Sequence, residues 1–210
     1  MTSYFRATGS LRAFWLLLIG LLASTAVGTT SAQAQSQAQS TTRTYTENPR
    51  VVIETSVGSI EIELLPKFAP KHVDNFLNLV DKAFYDGLVF HRVIPGFMIQ
   101  TGGFDADINY REHDEISVPN ESFNGLKNRR GSVAAARTDD PDSADTQFFI
   151  NVVDNPSLDA KRGEPGYTVF GRVIDGFDAV EEIELTDTHL RNGMAGVPEQ
   201  AITILSVRQR

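Results

Sequence analysis

From Arg50 onward the chain runs in short stretches of alternating apolar and polar residues, the period of strands half buried against a core. The first stretch, "RVVIETSVGSIEIELLP", holds two such runs on either side of Ser56-Val57-Gly58, which is the pattern of a hairpin. In its second run Ile60, Ile62 and Leu64 fall on one face, and Glu61 and Glu63 on the other. The period then changes. In "APKHVDNFLNLVDKAFYDG", Val73, Phe76, Leu77 and Val80 stand at i, i+3, i+4 and i+7, one apolar stripe of a helix. Pro70 suits its first turn and Gly87 lies past its end, with Lys71 and His72 expected on the wet face. Six pieces then read as strands: "LVFHRVI", "FMIQTG", "GSVAAA", "QFFINVV", "YTVFGRVI" and "AITILSVR". Gly, Asn, Asp and Pro clusters separate them, and "DAVEEIEL" after Gly176 offers a second, short helix. Many short strands with few helices favour a closed barrel or a sandwich over alternating β-α-β units. No repeat and no second composition block divides this part of the chain. It is one domain.

The amino-terminal part follows different rules. Arg6 and Arg12 precede an apolar run from Ala13 to about Val27, and Ala32-Gln33-Ala34 supplies small residues at a cleavage position. Residues 1–34 therefore read as a secretory signal peptide, cut after Ala34. The apolar run is short for a membrane span of about 20 residues, so no stable membrane insertion is expected after cleavage. Residues 35–48 read as a polar, flexible tether, and 49–210 as the folded domain. The expected location is outside the inner membrane, in a bacterial periplasm.

Composition narrows the chemistry. With 27 acidic and 19 basic residues the chain has a net charge of −8, and the leader holds no acid. Such a chain repels phosphate backbones, so nucleic acid is not an expected partner. There is no Cys, so stability must come from packing and thiolate metal sites are excluded. The four His, at 72, 91, 113 and 189, are too scattered for a zinc helix. Asp105, Asp107 and Asn109 mimic the start of a calcium loop, but Tyr110 and Ile116 occupy its obligatory Gly and Glu positions. Asp139, Asp140, Asp142 and Asp145 read as a solvated loop. No nucleophile elbow, Walker loop or dinucleotide fingerprint is present.

What remains is "FHRVIPGFMIQTGG", residues 90–103, together with "AAARTDDPDSADTQFFI" and "YTVFGRV". A fixed cation, Arg92, sits in an apolar string that has no Cys, Ser or carboxylate. These three motifs resemble the cyclophilin family of peptidyl-prolyl cis-trans isomerases, in particular its exported bacterial branch. The likeness runs from about Arg50 to Arg208 and implies a mainly β fold, a closed eight-stranded antiparallel barrel capped by two helices. It also implies substrates that are proline-containing, unfolded or partly folded polypeptides, a monomer, and a reaction without metal or cofactor.

The resemblance assigns roles as well. Arg92 becomes the catalytic donor, Gln100 the holder of a substrate carbonyl, and His91 an orienting or edge residue of the same surface. Phe97, Met98, Phe149 and Leu158 would line the proline pocket, with Ile94 nearby. Ala136 and Arg137 would meet the peptide backbone, and Tyr167 would wall the pocket. Without the motif Phe97, Met98 and Phe149 read as ordinary barrel core, and it is Arg92 and Gln100 among them that favours the pocket. On a regular strand Arg92, Ile94, Gly96, Met98 and Gln100 would share one face, although Pro95-Gly96 interrupts it. Three positions depart from the eukaryotic pattern: Ser157 stands for Trp, Tyr167 for His and Arg137 for Asn. The missing indole at Ser157 implies weak binding of cyclosporin.

Overall fold

The computed structural model describes residues 43–114 and 116–210. The leader 1–34 and the first part of the tether, 35–42, lie outside the described residues. The last tether residues do not stand free. Arg43 donates to Asn78 (2.8 Å) and Asp81 (2.6 Å), and the Tyr45 hydroxyl donates to Asp74. Residues 43–48 are thus docked on the first helix, in front of the first strand.

Eight strands make one antiparallel sheet. They are β1 (Arg50–Thr55), β2 (Gly58–Leu64), β3 (Arg92–Ile94), β4 (Met98–Thr101), β5 (Ser132–Ala135), β6 (Phe148–Asn151), β7 (Val169–Asp175) and β10 (Ile204–Gln209). Their order in space is β10-β1-β2-β7-β5-β6-β4-β3. The expected hairpin is present: Thr55 faces Gly58 across Ser56-Val57, and Ile53 faces Ile60. Helix α1 (Pro70–Asp81) lays Val73, Phe76, Leu77 and Val80 onto the core, and α2 (Phe177–Glu184) adds Ala179, Val180 and Ile183. The centre is aromatic. Phe76 and Tyr85 both meet the edge of Phe148, with centroids 5.3 and 5.5 Å away.

The expectation of a closed barrel needs correction. The sheet is an open, curled half-barrel whose edges are β3 and β10. The segment ahead of β3 meets the start of β10 and the residue before it: Val89 bridges Thr203, and Ile204 N–H donates to the Leu88 carbonyl at 2.7 Å. β3 ends after three residues because Pro95-Gly96 turns the chain. Its free side is covered instead by a second hairpin that pattern reading missed, β8 (Thr188–Arg191) and β9 (Met194–Pro198). Gly196 makes that approach possible. A Cβ there would lie 2.7 Å from the Val93 carbonyl oxygen, and its φ of +81° already favours glycine. Covering an edge in this way satisfies the same need as closure.

His72 is the other correction. Lys71 is exposed, but His72 is buried with its Nδ1 2.7 Å from Glu121 Oε2. Glu121 also accepts from the backbone N–H of Lys71 (3.2 Å) and His72 (3.1 Å), so it caps α1 from fifty residues away. Burial alone would raise the Glu121 carboxyl, but these hydrogen bonds outweigh it and hold the group below its ordinary value.

Candidate active site

The sheet has two apolar sides. Ile99, Phe148 and Ile150 face the main core, whereas Met98, Ala134, Phe149 and Val169 form a smaller cluster on the opposite face. Strand register builds that second face. Arg92 lies opposite Gln100, Gln100 opposite Phe149, Phe149 opposite Ala134, and Ala134 opposite Val169. Directly opposed residues of antiparallel strands project to the same side, so one row crosses five strands with Arg92 at its end. A second row carries Ile94, Met98 and Asn151. The shared face expected for Arg92, Ile94, Met98 and Gln100 is therefore present, but across a tight hairpin rather than along one strand.

Above the first row opens a cavity of about 460 Å³. Arg92 and Gln100 form one wall, and Phe97, Met98, Phe149 and Leu158 form its apolar floor. Ala136, Arg137 and Tyr167 stand at the far rim. Ten of the eleven residues singled out from sequence thus line one cavity. Ile94 is the exception: it packs against the same apolar cluster from behind and does not reach the opening. Its place beside the Pro95-Gly96 turn carries it past the end of the cavity.

Hydrogen bonds fix the polar wall. Arg92 Nη1 donates to Gln100 Oε1 at 3.2 Å, and Gln100 Nε2 donates to Gln147 Oε1 at 3.1 Å. Gln147 also lines the cavity, as do Phe104 and Met194, and sequence reading singled out none of them. Gln147 was legible: it lies two residues before Phe149, hence on the same strand face. Met194 comes from the β8–β9 hairpin, for which the Asn192-Gly193 pair is the sequence signal.

His91 is 1 % exposed, with its ring against Phe104 at 4.7 Å between centroids. It is a cavity residue, although not an exposed edge. Burial pushes its imidazole down to about 4, and the Arg92 charge acts in the same direction. Its Nδ1 is buried without a hydrogen-bond partner. The ring is therefore neutral at pH 7 and far too weak a base to take a proton there.

A buried amide network holds the floor in position. Asn155 Nδ2 donates to the Phe97 carbonyl (2.8 Å) and to Asn151 Oδ1 (2.7 Å). Asn151 donates in turn to Ser132 Oγ (2.9 Å), and Asn128 ties Asp159 to the same group. The far wall is bound to this floor as well: Tyr167 N–H donates to the Leu158 carbonyl at 2.9 Å, and the Tyr167 ring meets Phe149 edge-on at 5.6 Å. Gly166 makes the approach possible, because a Cβ there would lie 2.3 Å from Ala160 N and 2.5 Å from the Leu158 oxygen.

Among the described residues no three His, Cys, Asp or Glu side chains come together as a metal site. Asp105 Oδ1 instead accepts from the N–H groups of Asp107 and Asn109, both at 2.9 Å. The cavity offers two guanidiniums, two amides and an apolar floor. That set can bind and polarise an extended peptide, but it holds no nucleophile.

The chain is similar to known proteins over most of its length. The family model for cyclophilin type peptidyl-prolyl cis-trans isomerase/CLD matches residues 50–209. A peptidyl-prolyl cis-trans isomerase of Acinetobacter baylyi is 47% identical over 161 residues, which cover 77% of this chain and 85% of that protein. Peptidyl-prolyl cis-trans isomerase B of Escherichia coli is 46% identical over 162 residues, covering 75% and 97%. A crystal structure of a Cryptosporidium parvum cyclophilin type isomerase, in the presence of the dipeptide Ala-Pro, superimposes with a TM-score of 0.64 at 27% identity. It covers 77% of this chain and 98% of that one.

Proposed function

The chain belongs to the cyclophilin-type peptidyl-prolyl cis-trans isomerases, and from that premise we propose that Arg92 drives the rotation without any covalent step. An X-Pro bond crosses a barrier of about 18–20 kcal/mol, taking tens to hundreds of seconds unaided. The barrier is amide resonance. As the bond twists, conjugation is lost and the proline nitrogen becomes pyramidal and basic. A guanidinium aimed at that nitrogen binds the twisted form and gains little from the planar one, so it lowers the barrier selectively. Arg keeps its proton at any working pH, and its rigid fork can be held by a partner such as Gln100. The apolar floor of Phe97, Met98, Phe149 and Leu158 holds the proline ring and excludes water, which strengthens the bond from Arg92. Lowering the barrier by about 7 kcal/mol would accelerate rotation roughly 10⁵-fold.

Gln100 has a second task in this reading. Its amide anchors a backbone carbonyl of the substrate, with Gln147 fixing which way the amide faces. His91, neutral and buried, supports the wall from behind. The observation that carries the proposal is the Arg92–Gln100–Gln147 chain over an apolar floor. The physiological substrates proposed are exported chains folding in the periplasm, supported by the leader pattern of residues 1–34. The enzyme acts as a monomer. Weak cyclosporin binding also belongs to the reading, since Ser157 is exposed and outside the cavity lining.

A proline-limited refolding assay tests the mechanism. Wild type should accelerate the slow phase, and Arg92→Ala should return it close to the uncatalysed rate while still binding a proline peptide. Equal acceleration by both proteins would rule out Arg92 as the donor.

A further inference from the structure

The cavity is lined by two formal charges, Arg92 and Arg137, and no carboxylate lines it. Elsewhere among the described residues of this acidic chain, nine Lys and Arg side chains are matched by a carboxylate. Arg43 pairs with Asp81, Arg130 with Glu181, Arg172 with Glu63 and Arg208 with Asp86. Arg137 forms no ion pair among the described residues. Its guanidinium donates only to main-chain carbonyls: Thr138 at 2.7 Å, Pro165 at 3.2 Å and Gly166 at 3.4 Å, with a long contact to Asp139 at 3.5 Å. The group lies over the Tyr167 ring, 4.7 Å from its centroid. Carbonyls and an aromatic face fix a cation in place but leave its net charge intact. Asp140 of the same loop is engaged locally, its Oδ1 accepting from Asp142 N–H at 3.0 Å. Tyr167 in turn touches Phe149 on the floor, so the held charge is one ring away from the proline position.

We propose that Arg137 is a specificity-determining residue that favours chains in which an acidic residue flanks the proline. The inference rests on the cavity being the isomerase site. Arg92 already engages Gln100 and is directed at the imide nitrogen, so Arg137 is the cation left for a substrate side chain. The carboxylate would meet a preorganised partner beside a low-dielectric floor, at the edge of solvent. The expected gain is that of a partly exposed ion pair, about two- to fivefold in kcat/KM.

Equilibrium NMR exchange on tetrapeptides tests this without a helper protease, which would impose its own preference. The peptides differ only in Glu against Gln, placed immediately before or immediately after proline. Wild type should turn over a Glu peptide about two to five times faster than its Gln counterpart, and the ratio should shrink in about 0.5 M salt. Arg137→Gln should bring the ratio to one, and Arg137→Lys should keep most of it. Each ratio is taken within one protein sample, so a partly unfolded variant does not distort it. Equal rates for Glu and Gln at both positions in wild type would overturn the inference, as would a preference that survives Arg137→Gln. If no peptide exceeds its uncatalysed rate, the isomerase reading of the cavity falls, and this inference with it.

Discussion

Arg92 and Gln100 face each other across the β3–β4 hairpin, with Nη1 3.2 Å from Oε1. The contact follows from register. The tight turn at Pro95-Gly96 makes Ile94 pair with Met98, and two residues further out Arg92 must then meet Gln100. Gln147 continues the chain from β6 side of the cavity at 3.1 Å. Register thus holds the guanidinium in place, and in the proposed mechanism its orientation would cost nothing at the moment of rotation.

Loss of the aim should be separable from loss of the charge. Arg92→Lys keeps a cation but not the planar fork, and we expect kcat/KM to fall about 10²-fold, close to the fall for Arg92→Ala. Gln147→Ala leaves Arg92 in place and frees only the Gln100 amide, so a smaller loss of roughly tenfold is expected, mainly in KM. Steady-state isomerisation of one tetrapeptide by all three variants decides it; a nearly active Arg92→Lys would contradict the geometric argument.

Gly166→Ala should damage both fold and site. The added Cβ would sit 2.3 Å from Ala160 N and 2.5 Å from the Leu158 oxygen, and both neighbours are backbone. Something must shift, and what shifts carries Leu158 and Tyr167. We expect about 1–3 kcal/mol of destabilisation in urea unfolding together with weakened peptide binding. A variant of unchanged stability would show that this approach is looser than drawn.

Asn155→Ala removes two donated hydrogen bonds at once and leaves the Phe97 carbonyl and Asn151 Oδ1 buried without that partner. The expected cost is about 1–3 kcal/mol, because Asn151 Oδ1 is stranded whereas the Phe97 carbonyl still accepts from Val152 N–H at 3.2 Å. Activity of the folded fraction should fall through KM, since Phe97 loses its brace while Arg92 is untouched. Chemical denaturation read beside peptide titration by NMR separates the two effects.

His91 predicts two pH profiles. Its folded value is about 4, against an ordinary 6.5. Between these limits the unfolded chain takes up a proton that the folded chain refuses, so stability falls as pH drops from 6.5 towards 4. His91→Phe should make this fall shallower by up to one proton, seen as a smaller shift of urea midpoint over the same range. Activity, in contrast, should stay flat from about pH 5.5 to 8, because His91 stays neutral there and the proposed rotation transfers no proton. A bell-shaped profile with a limb near 6.5 would mean that His91 gains a proton in the working enzyme.

Much of the site was legible because it is local. Arg92, Phe97, Met98 and Gln100 fall within nine consecutive residues, and their order in one unusual string already points to a single surface. Phe149, Leu158 and Tyr167 were reached by the same motif resemblance. The eight strands of the sheet were legible too, some by alternation, as in β1, and others as short apolar runs, as in β5 and β6, which are buried on both faces. The helices were equally plain from the stripe Val73, Phe76, Leu77 and Val80.

Tertiary structure decided the remainder. Whether the sheet closes depends on which element covers the edge of β3, and the β8–β9 hairpin that does so is nearly a hundred residues away. His72 belongs to the wet face by helical spacing alone, yet Glu121 arrives from a distant loop and gives its ring a buried partner. Ile94 alternates correctly but lies beyond the cavity, because alternation sets the face of a residue and not its distance from an opening. The Asn128–Asn151–Asn155 network likewise depends on where distant segments meet. One-dimensional pattern records which side chains avoid water, whereas the partners of a buried polar group are set by where the chain returns.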